Sequence, residues 1–283
     1  MLGATLCWAS AGVLVRTQRL ADAWEITFWR SLFMAVFMFV FLRAQHGTAA
    51  WQRIRAMGRP GVVSGVLWAT MFVCFIVALS RTTVANVLVL GSLSPFMAAL
   101  FAWALLGERP PGRTWVAMSA ACAGIVLMFV DAIGGGGTTG NLIALAIPVC
   151  FGLNVVVLRR SGAEVDMAPT LLVAAVFSCA MTLPFALPVE ARGMDFVNLI
   201  ALGFVQLGLG CLLMILALRH LRAAEVGLLS VMEIVFGVLS TWWLVGEAPS
   251  ALALTGGLVV IVALAVNAAI GLLRRPAVPA TAA

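Results

Sequence analysis

Lysine and tyrosine are absent from this 283-residue chain, histidine occurs twice, and acidic residues number 11. Charged residues make up 10% of the sequence and apolar ones 63%. Soluble domains carry about 25% and about 45–50% respectively. Charge this sparse excludes a soluble globular enzyme, a disordered chain and a nucleic-acid binder. The histidines, His46 and His220, stand in different short gaps, so the H-E-x-x-H pattern of a metalloprotease does not occur. No serine has a plausible base beside it, which argues against a serine hydrolase. The six cysteines (Cys7, Cys74, Cys122, Cys150, Cys179, Cys211) lie inside apolar segments without C-x-x-C spacing. They read as small buried hydrophobes rather than zinc ligands or a disulfide framework. No catalytic residue, metal or cofactor is expected, and the chain is not expected to be an enzyme. With lysine missing, arginine alone carries the net charge of +6, and it falls in the gaps between apolar runs. There it serves as a topology signal before it serves as a ligand for polyanions. The composition is that of a protein that lives in a bilayer.

A helix crosses the hydrocarbon core with about 20 apolar residues. Ten such spans are predicted: 2–15, 26–42, 61–79, 84–106, 114–130, 142–158, 169–187, 196–218, 226–245 and 251–273. Turn-forming clusters punctuate them, among them Arg59-Pro60, Gly107-Glu108-Arg109-Pro110-Pro111, the glycines of 134–137, and Glu247-Ala248-Pro249-Ser250. The connections are short, so function is expected within the membrane. Met1 runs straight into the first apolar stretch with no basic segment before it, unlike a cleavable signal peptide. That stretch is short for a span, which leaves room for a start upstream of Met1.

With ten spans, one face receives Arg43, Arg53, Arg55, Arg59, Arg109, Arg113, Arg159, Arg160, Arg219, Arg222, Arg274 and Arg275. The opposite face receives Arg16, Arg19, Arg81 and Arg192. Twelve against four predicts that both termini lie in the cytoplasm. Within the basic gap 44–60, Trp51, Ile54 and Met57 recur at helical spacing. That suits either a short helix in the headgroup layer or an ordinary basic loop.

The chain also repeats itself. At a shift of 139 residues, the segments 76–108 and 215–247 share 11 of 33 positions, including Trp103/Trp242, Gly107/Gly246 and Glu108/Glu247. At a shift of 143, Trp8 to Arg16 matches Phe151 to Arg159, each an apolar run closing on arginine. Five spans per copy is an odd number, so the second copy enters the membrane from the opposite side. The expected fold is therefore all-α, with ten transmembrane helices as two inverted five-helix repeats. The expected boundaries are 1–132 for the first repeat, 133–140 for a Gly-rich linker outside the cytoplasm, 141–275 for the second repeat and 276–283 for a tail.

Trp8-Ala9-Ser10 in the first span, Arg30 in the second, Ser94-Pro95 in the fourth, and Gly-Glu closing the fourth and ninth carry a resemblance. In this order, along essentially the whole chain, they resemble the drug/metabolite transporter superfamily, and more narrowly its ten-helix EamA-type exporters. That group includes bacterial exporters of amino acids, aromatic ones among them. Second copies in the family often read Glu-Pro in the middle of the ninth span, whereas Glu233 here precedes Ile234. A proline at this register is kept only at Pro95.

Polar side chains inside spans are costly and face bundle interiors or cavities. Glu233, well inside the ninth span, is a candidate proton carrier or partner for a substrate ammonium. Alternatively it is a neutral carboxyl hydrogen-bonded between helices. Asn154 and Gln206 offer donors and acceptors suited to a zwitterion, or to inter-helix bonds. Ser94 and Ser230, on the two central helices, are weaker candidates because serine often bonds its own backbone. Trp8, Trp68 and Phe72 are the candidate cavity wall, with packing as the alternative role. Trp24, Trp29, Trp51 and Trp115 sit at span edges as belt residues, and Trp103 and Trp242 near opposite surfaces. Pro95, Gly91 and Gly237 are candidate points of bending or close approach. Arg30 sits near the outer end of its span with Glu25 before it, and reads as snorkelling or paired. Glu108 and Glu247 read as helix-end hydrogen-bonding groups.

The resemblance, taken with these residues, implies alternating access by a small-molecule transporter in the lipid bilayer. The expected activity is export of small metabolites, amino acids including aromatic ones, with protons as a possible coupling ion. A multidrug exporter and an energy-independent facilitator are the alternatives. The sequence leaves the oligomeric state open.

Overall fold

The computed structural model describes residues 1–20, 22–135, 137–161, 166–218 and 223–273. In chain order the helices are α1 (Leu2–Arg16), α2 (Ala23–His46), α3 (Ala50–Ala56), α4 (Gly58–Leu79), α5 (Val84–Gly91), α6 (Ser94–Leu106) and α7 (Gly112–Gly135). They continue with α8 (Thr138–Ser161), α9 (Met167–Thr182), α10 (Met194–Ile200), α11 (Gly210–Leu218), α12 (Ala223–Val245) and α13 (Ala251–Leu273). A 3-10 turn (Gly47–Ala49) leads into α3, and a π-helical segment (Ala201–Leu209) joins α10 to α11. Among the described residues, seven helices are long and apolar enough to cross a membrane. Three shorter apolar ones, Leu2–Arg16, Met167–Thr182 and Met232–Val245, complete ten crossings.

Local chemistry sets the ends of these helices. Asp22, Thr83 and Asp166 cap α2, α5 and α9 by accepting hydrogen bonds from the backbone N–H groups of Trp24, Asn86 and Ala168. Gly107 and Gly246, at φ 73° and 78°, stop α6 and α12 in the left-handed conformation that glycine adopts without strain. The Gly-Glu pairs of the two repeats thus end equivalent helices.

Packing shows the inverted repeat directly. α1 lies on α12 as α8 lies on α6; the π segment lies on α2 as α4 lies on α9. α2 packs on α9, and α7 on α13, each against its own repeat partner. The last contact is a close one: a Cβ on Gly124 would stand 2.5 Å from the carbonyl oxygen of Gly256, and the reverse holds as well. Around this bundle, apolar side chains such as Phe39, Val40, Val116, Leu258 and Trp243 are exposed, as a lipid-facing surface requires.

Two spans depart from the sequence expectation. The fourth is not one helix but two, α5 and α6, interrupted at Ser92 and Leu93. The eighth contains the π segment. The glycine linker is also shorter than expected, since Gly134 and Gly135 complete the last turn of α7. Gly136 lies outside the described residues, as do Arg219, Arg222, Arg274 and Arg275. The basic gap after the second span does hold a short helix, α3, in which the Arg55 guanidinium sits 5.3 Å from the centre of the Trp51 ring.

Candidate functional site: a polar and aromatic cluster between the repeats

The site begins at the contact of α2 with the π segment. Gly203 and Gly208 allow it: a Cβ on Gly203 would meet Phe33 Cβ at 2.3 Å and the Arg30 carbonyl oxygen at 2.8 Å. One on Gly208 would meet the Phe37 ring at 2.7 Å. Two helices touching nearly backbone to backbone bring Gln206 against Arg30, whose Nε donates to Gln206 Oε1 at 3.0 Å. Isolated π turns of this kind inside helices are frequent at functional sites. Both side chains are 2% exposed. Arg30 Nη1 makes a longer contact, 3.4 Å, with the Phe72 carbonyl oxygen. The guanidinium also lies 5.8 Å and 5.6 Å from the ring centres of Phe72 and Phe75, within cation–π range.

Arg30 therefore does not snorkel, and Glu25 is not its partner. About 10 Å along α2 from Ala23, at 1.5 Å per residue, its head is turned into the bundle. Glu25, 1% exposed, is committed elsewhere, accepting hydrogen bonds from the backbone N–H groups of Glu190 and Ala191 and from Trp29 Nε1. Among the described residues no carboxylate forms an ion pair with Arg30.

From Phe72 an aromatic path runs on through α4 into α8. The rings of Phe72 and Trp68, one helical turn apart, are tilted with centres 5.9 Å apart. Trp68 in turn stands edge-to-face on Phe151 at 6.4 Å. Asn154 shares the Phe151 face of α8 at i, i+3 spacing and is 2% exposed. Two buried polar atoms in this stretch, Trp68 Nε1 and Asn154 Oδ1, have no hydrogen-bond partner among the described residues. A buried donor and a buried acceptor left open are costly without a partner, and such groups call for one.

On the other flank, α12 carries Glu233 near its midpoint, half-buried. The Cys211 thiol on α11 lies within electrostatic reach of both Arg30 and Glu233. Trp8 of α1 reaches the same place, its indole occupying the space where a Cβ of Gly210 would be. The structure thus sets Gln206 and Phe72 against Arg30, joins Trp68 to Phe72 and Phe151 to Trp68, and leaves Asn154 one turn beyond Phe151, with Trp8 and Glu233 on the Cys211 side.

The remaining candidates stand apart. Ser94 Oγ donates to the Gly91 carbonyl, closing the turn between α5 and α6 on itself, and Pro95 is exposed in the first turn of α6. Ser230 is half-buried on α12. The two glycines differ: a Cβ on Gly237 would lie 2.4 Å from Leu88 Cδ1, whereas on Gly91 the nearest atom is 4.0 Å away. Gly237 serves close packing, while Gly91, the last residue of α5, has room for a Cβ at ordinary contact distance from Ile147. Glu247 and Glu108 do bond at helix ends, as the sequence implies. Glu247 accepts from Arg16 Nε at 2.6 Å and from the Val84 N–H at 2.7 Å, and Glu108 pairs with Arg159.

Arg30 is the candidate that sequence reasoning set aside. A signal for it existed in the complementarity of Arg30 and Gln206, a donor-only and an acceptor-bearing side chain that both fall within spans. What concealed it was Glu25, an acid at nearly helical spacing. Chemically the cluster offers a cation, an amide, aromatic faces and a carboxyl. It holds no nucleophile activated by a base, and among the described residues no group of side chains is arranged for a metal ion.

Comparison with known proteins agrees with this architecture. Over 248 residues the chain is 26% identical to the pseudopaline exporter CntI of Pseudomonas aeruginosa, strains UCBPP-PA14 and PAO1, covering 84% of each. A protein of known crystal structure, 24% identical, superposes with a TM-score of 0.67 over 97% of this chain and 98% of its own, which attests the fold. Residues 1–130 and 138–269, the two repeats in turn, match the profile of the EamA-like transporter family, and the chain is a member of that family.

Proposed function

We propose that this transporter exports small metabolites across the bacterial inner membrane, amino acids including aromatic ones, by alternating access through the space between its repeats. The observation that carries this reading is the aromatic row Phe72–Trp68–Phe151 with the open, buried Trp68 Nε1 and Asn154 Oδ1 beside it. An aromatic side chain finds ring faces there, and the polar groups of an amino acid find a donor and an acceptor. The similarity to a pseudopaline exporter supports outward transport, and the arginine asymmetry supports cytoplasmic termini.

The decisive experiment is a panel of substrates on purified protein in liposomes, with and without a proton gradient. Aromatic and aliphatic amino acids should exchange across the membrane. Accumulation that follows the gradient indicates proton coupling through Glu233. Transport of bulky organic cations in place of amino acids would overturn the substrate assignment. For orientation, a cysteine at Thr139 should react with an impermeant maleimide in intact cells; labelling only in inverted vesicles would overturn the topology.

A further inference from the structure

Arginine is an expensive side chain to hold within a membrane, and when present it faces a cavity and has a partner. Arg30 has a neutral partner only. Gln206 accepts from Nε and so fixes the plane of the guanidinium. Nη1 has just the 3.4 Å contact with the Phe72 carbonyl, and Nη2 has no hydrogen-bond partner among the described residues. The two terminal nitrogens form the edge of the fork that receives a carboxylate with two parallel hydrogen bonds. Phe72 and Phe75 cover the guanidinium faces, leaving recognition to that edge. Full burial of Arg30 and Gln206 means that an anion bound there is shielded from water and from competing salt. Among the described residues no carboxylate forms an ion pair with it, and Glu25 is taken up by backbone N–H groups.

We infer that Arg30, oriented by Gln206, is the carboxylate-binding subsite of the transport cavity, so that the protein selects substrates bearing a carboxylate beside an apolar or aromatic group. This rests on the transport reading above and names the part of the substrate that is recognised. The π segment has a role in it: the close approach at Gly203 places Gln206 against Nε and leaves the outer edge of the fork open. Phe72 serves twice, covering the guanidinium and joining it to the Trp68 ring on which the apolar part of the substrate rests.

Matched probes that differ only in the carboxylate test the inference on the full-length protein in detergent, with binding read from tryptophan fluorescence. One pair is L-phenylalanine and phenethylamine; the other is 3-phenylpropanoate and 3-phenylpropanamide. In each pair the parent protein should prefer the carboxylate by about 10- to 100-fold, the worth of hydrogen bonds to a charged group. Arg30→Gln should bring the members of each pair level. Arg30→Lys should keep part of the preference. If Arg30→Gln does not yield monodisperse protein, Gln206→Leu is the variant to read, and it should weaken carboxylate binding about 10-fold by releasing the guanidinium plane. A parent that binds neither pair or treats each pair alike overturns the inference, as does a preference that survives Arg30→Gln, or Gln206→Leu where that is the variant read. The amino-acid reading fails separately, when phenylalanine is not bound but 3-phenylpropanoate is preferred over its amide; the carboxylate subsite then stands.

Discussion

In the first repeat, α4 packs on α9 through Gly65, and in the second the π segment packs on α2 through Gly203. These interfaces are related by the pseudo-two-fold axis, yet they are not built alike. A Cβ on Gly65 would meet the Val173 Cγ1 methyl at 3.0 Å and no backbone atom nearer than 3.5 Å. On Gly203 it would meet a Cβ at 2.3 Å and a carbonyl oxygen at 2.8 Å, neither of which can move without moving α2. The fourth and ninth spans differ in the same manner. At the register where α5 gives way to α6 with Ser94-Pro95, α12 continues unbroken and carries Glu233-Ile234. The symmetric part of each repeat is scaffold. The polar cluster is made where symmetry fails, at the π segment and at position 233.

The sharpest test of that contrast is Gly203→Ala against Gly65→Ala. Overpacking costs about 1–3 kcal/mol. We expect Gly203→Ala to reach or exceed the upper end, because the obstacle is backbone, and to weaken carboxylate binding about 10-fold by parting Gln206 from Arg30. Gly65→Ala should cost about 1 kcal/mol or less, since a valine methyl can give way. Thermal unfolding in detergent with a binding assay on both variants checks this. Equal losses would mean that the two interfaces are equivalent after all and that the π segment is incidental.

The repeat-related ion pairs give the next largest effect. Arg16–Glu247 has side-chain exposures of 27% and 20%, with further bonds from the Val84 N–H to Glu247 and from Arg16 Nη2 to the Thr82 carbonyl. Arg159–Glu108, at the opposite end of the bundle, is exposed to 53% and 52%. Glu247→Gln should cost about 2 kcal/mol, because it leaves a half-buried guanidinium without its charge partner. Glu108→Gln should cost no more than about 1 kcal/mol, as exposed pairs do. Double-mutant cycles with Arg16→Gln and Arg159→Gln measure the two couplings; the unequal latching of the two ends fails if they match.

Much of this was legible in the sequence. Ten crossings follow from apolar runs and their punctuation, and the inversion follows from an odd number of spans per copy. The glycines and acids at the ends of the fourth and ninth spans announced equivalent helix ends, which the left-handed Gly107 and Gly246 bear out. Trp68, Phe72, Asn154 and Gln206 were found as polar or aromatic residues deep in spans, but their assembly was not. It depends on helix faces, and a hydrophobic pattern that is apolar on all sides hides which face turns inward. The π segment was illegible for a related reason: one added residue per turn changes the register without changing the composition. Arg30 was misread because sequence proximity favoured Glu25, whereas the partners of that carboxylate come from a loop some 165 residues away.

Among the residues of the fourth and ninth spans, glycine substitutions sharpen the comparison at smaller scale. Gly237→Ala must displace Leu88 Cδ1 from 2.4 Å, and because that atom is the end of a side chain, a cost of about 1 kcal/mol is expected. Gly91→Ala meets nothing closer than 4.0 Å and replaces glycine at the last residue of α5, so it should be neutral or stabilising by less than about 1 kcal/mol. A large loss at Gly91 would show that the break between α5 and α6 needs conformations alanine cannot reach, which thermal unfolding and transport together would reveal.

The smallest effect on stability, and the most informative for transport, belongs to the register mates Ser94 and Glu233. Ser94→Ala removes a hydroxyl that donates to the Gly91 carbonyl in its own preceding turn, so stability should change by less than about 1 kcal/mol and transport should be unaffected. Glu233→Gln keeps size and hydrogen-bonding capacity while removing the ability to titrate, and among the described residues no ion pair is broken by it. Its cost in stability should be equally small. Transport should separate the two: the proposed proton coupling requires that gradient-driven accumulation be lost in Glu233→Gln while exchange at fixed pH survives. Loss of affinity in every mode, with or without a gradient, would instead assign Glu233 to the substrate ammonium. Accumulation like the parent's would remove position 233 from the mechanism, and the asymmetry between the central helices would then lie only in the break at Pro95.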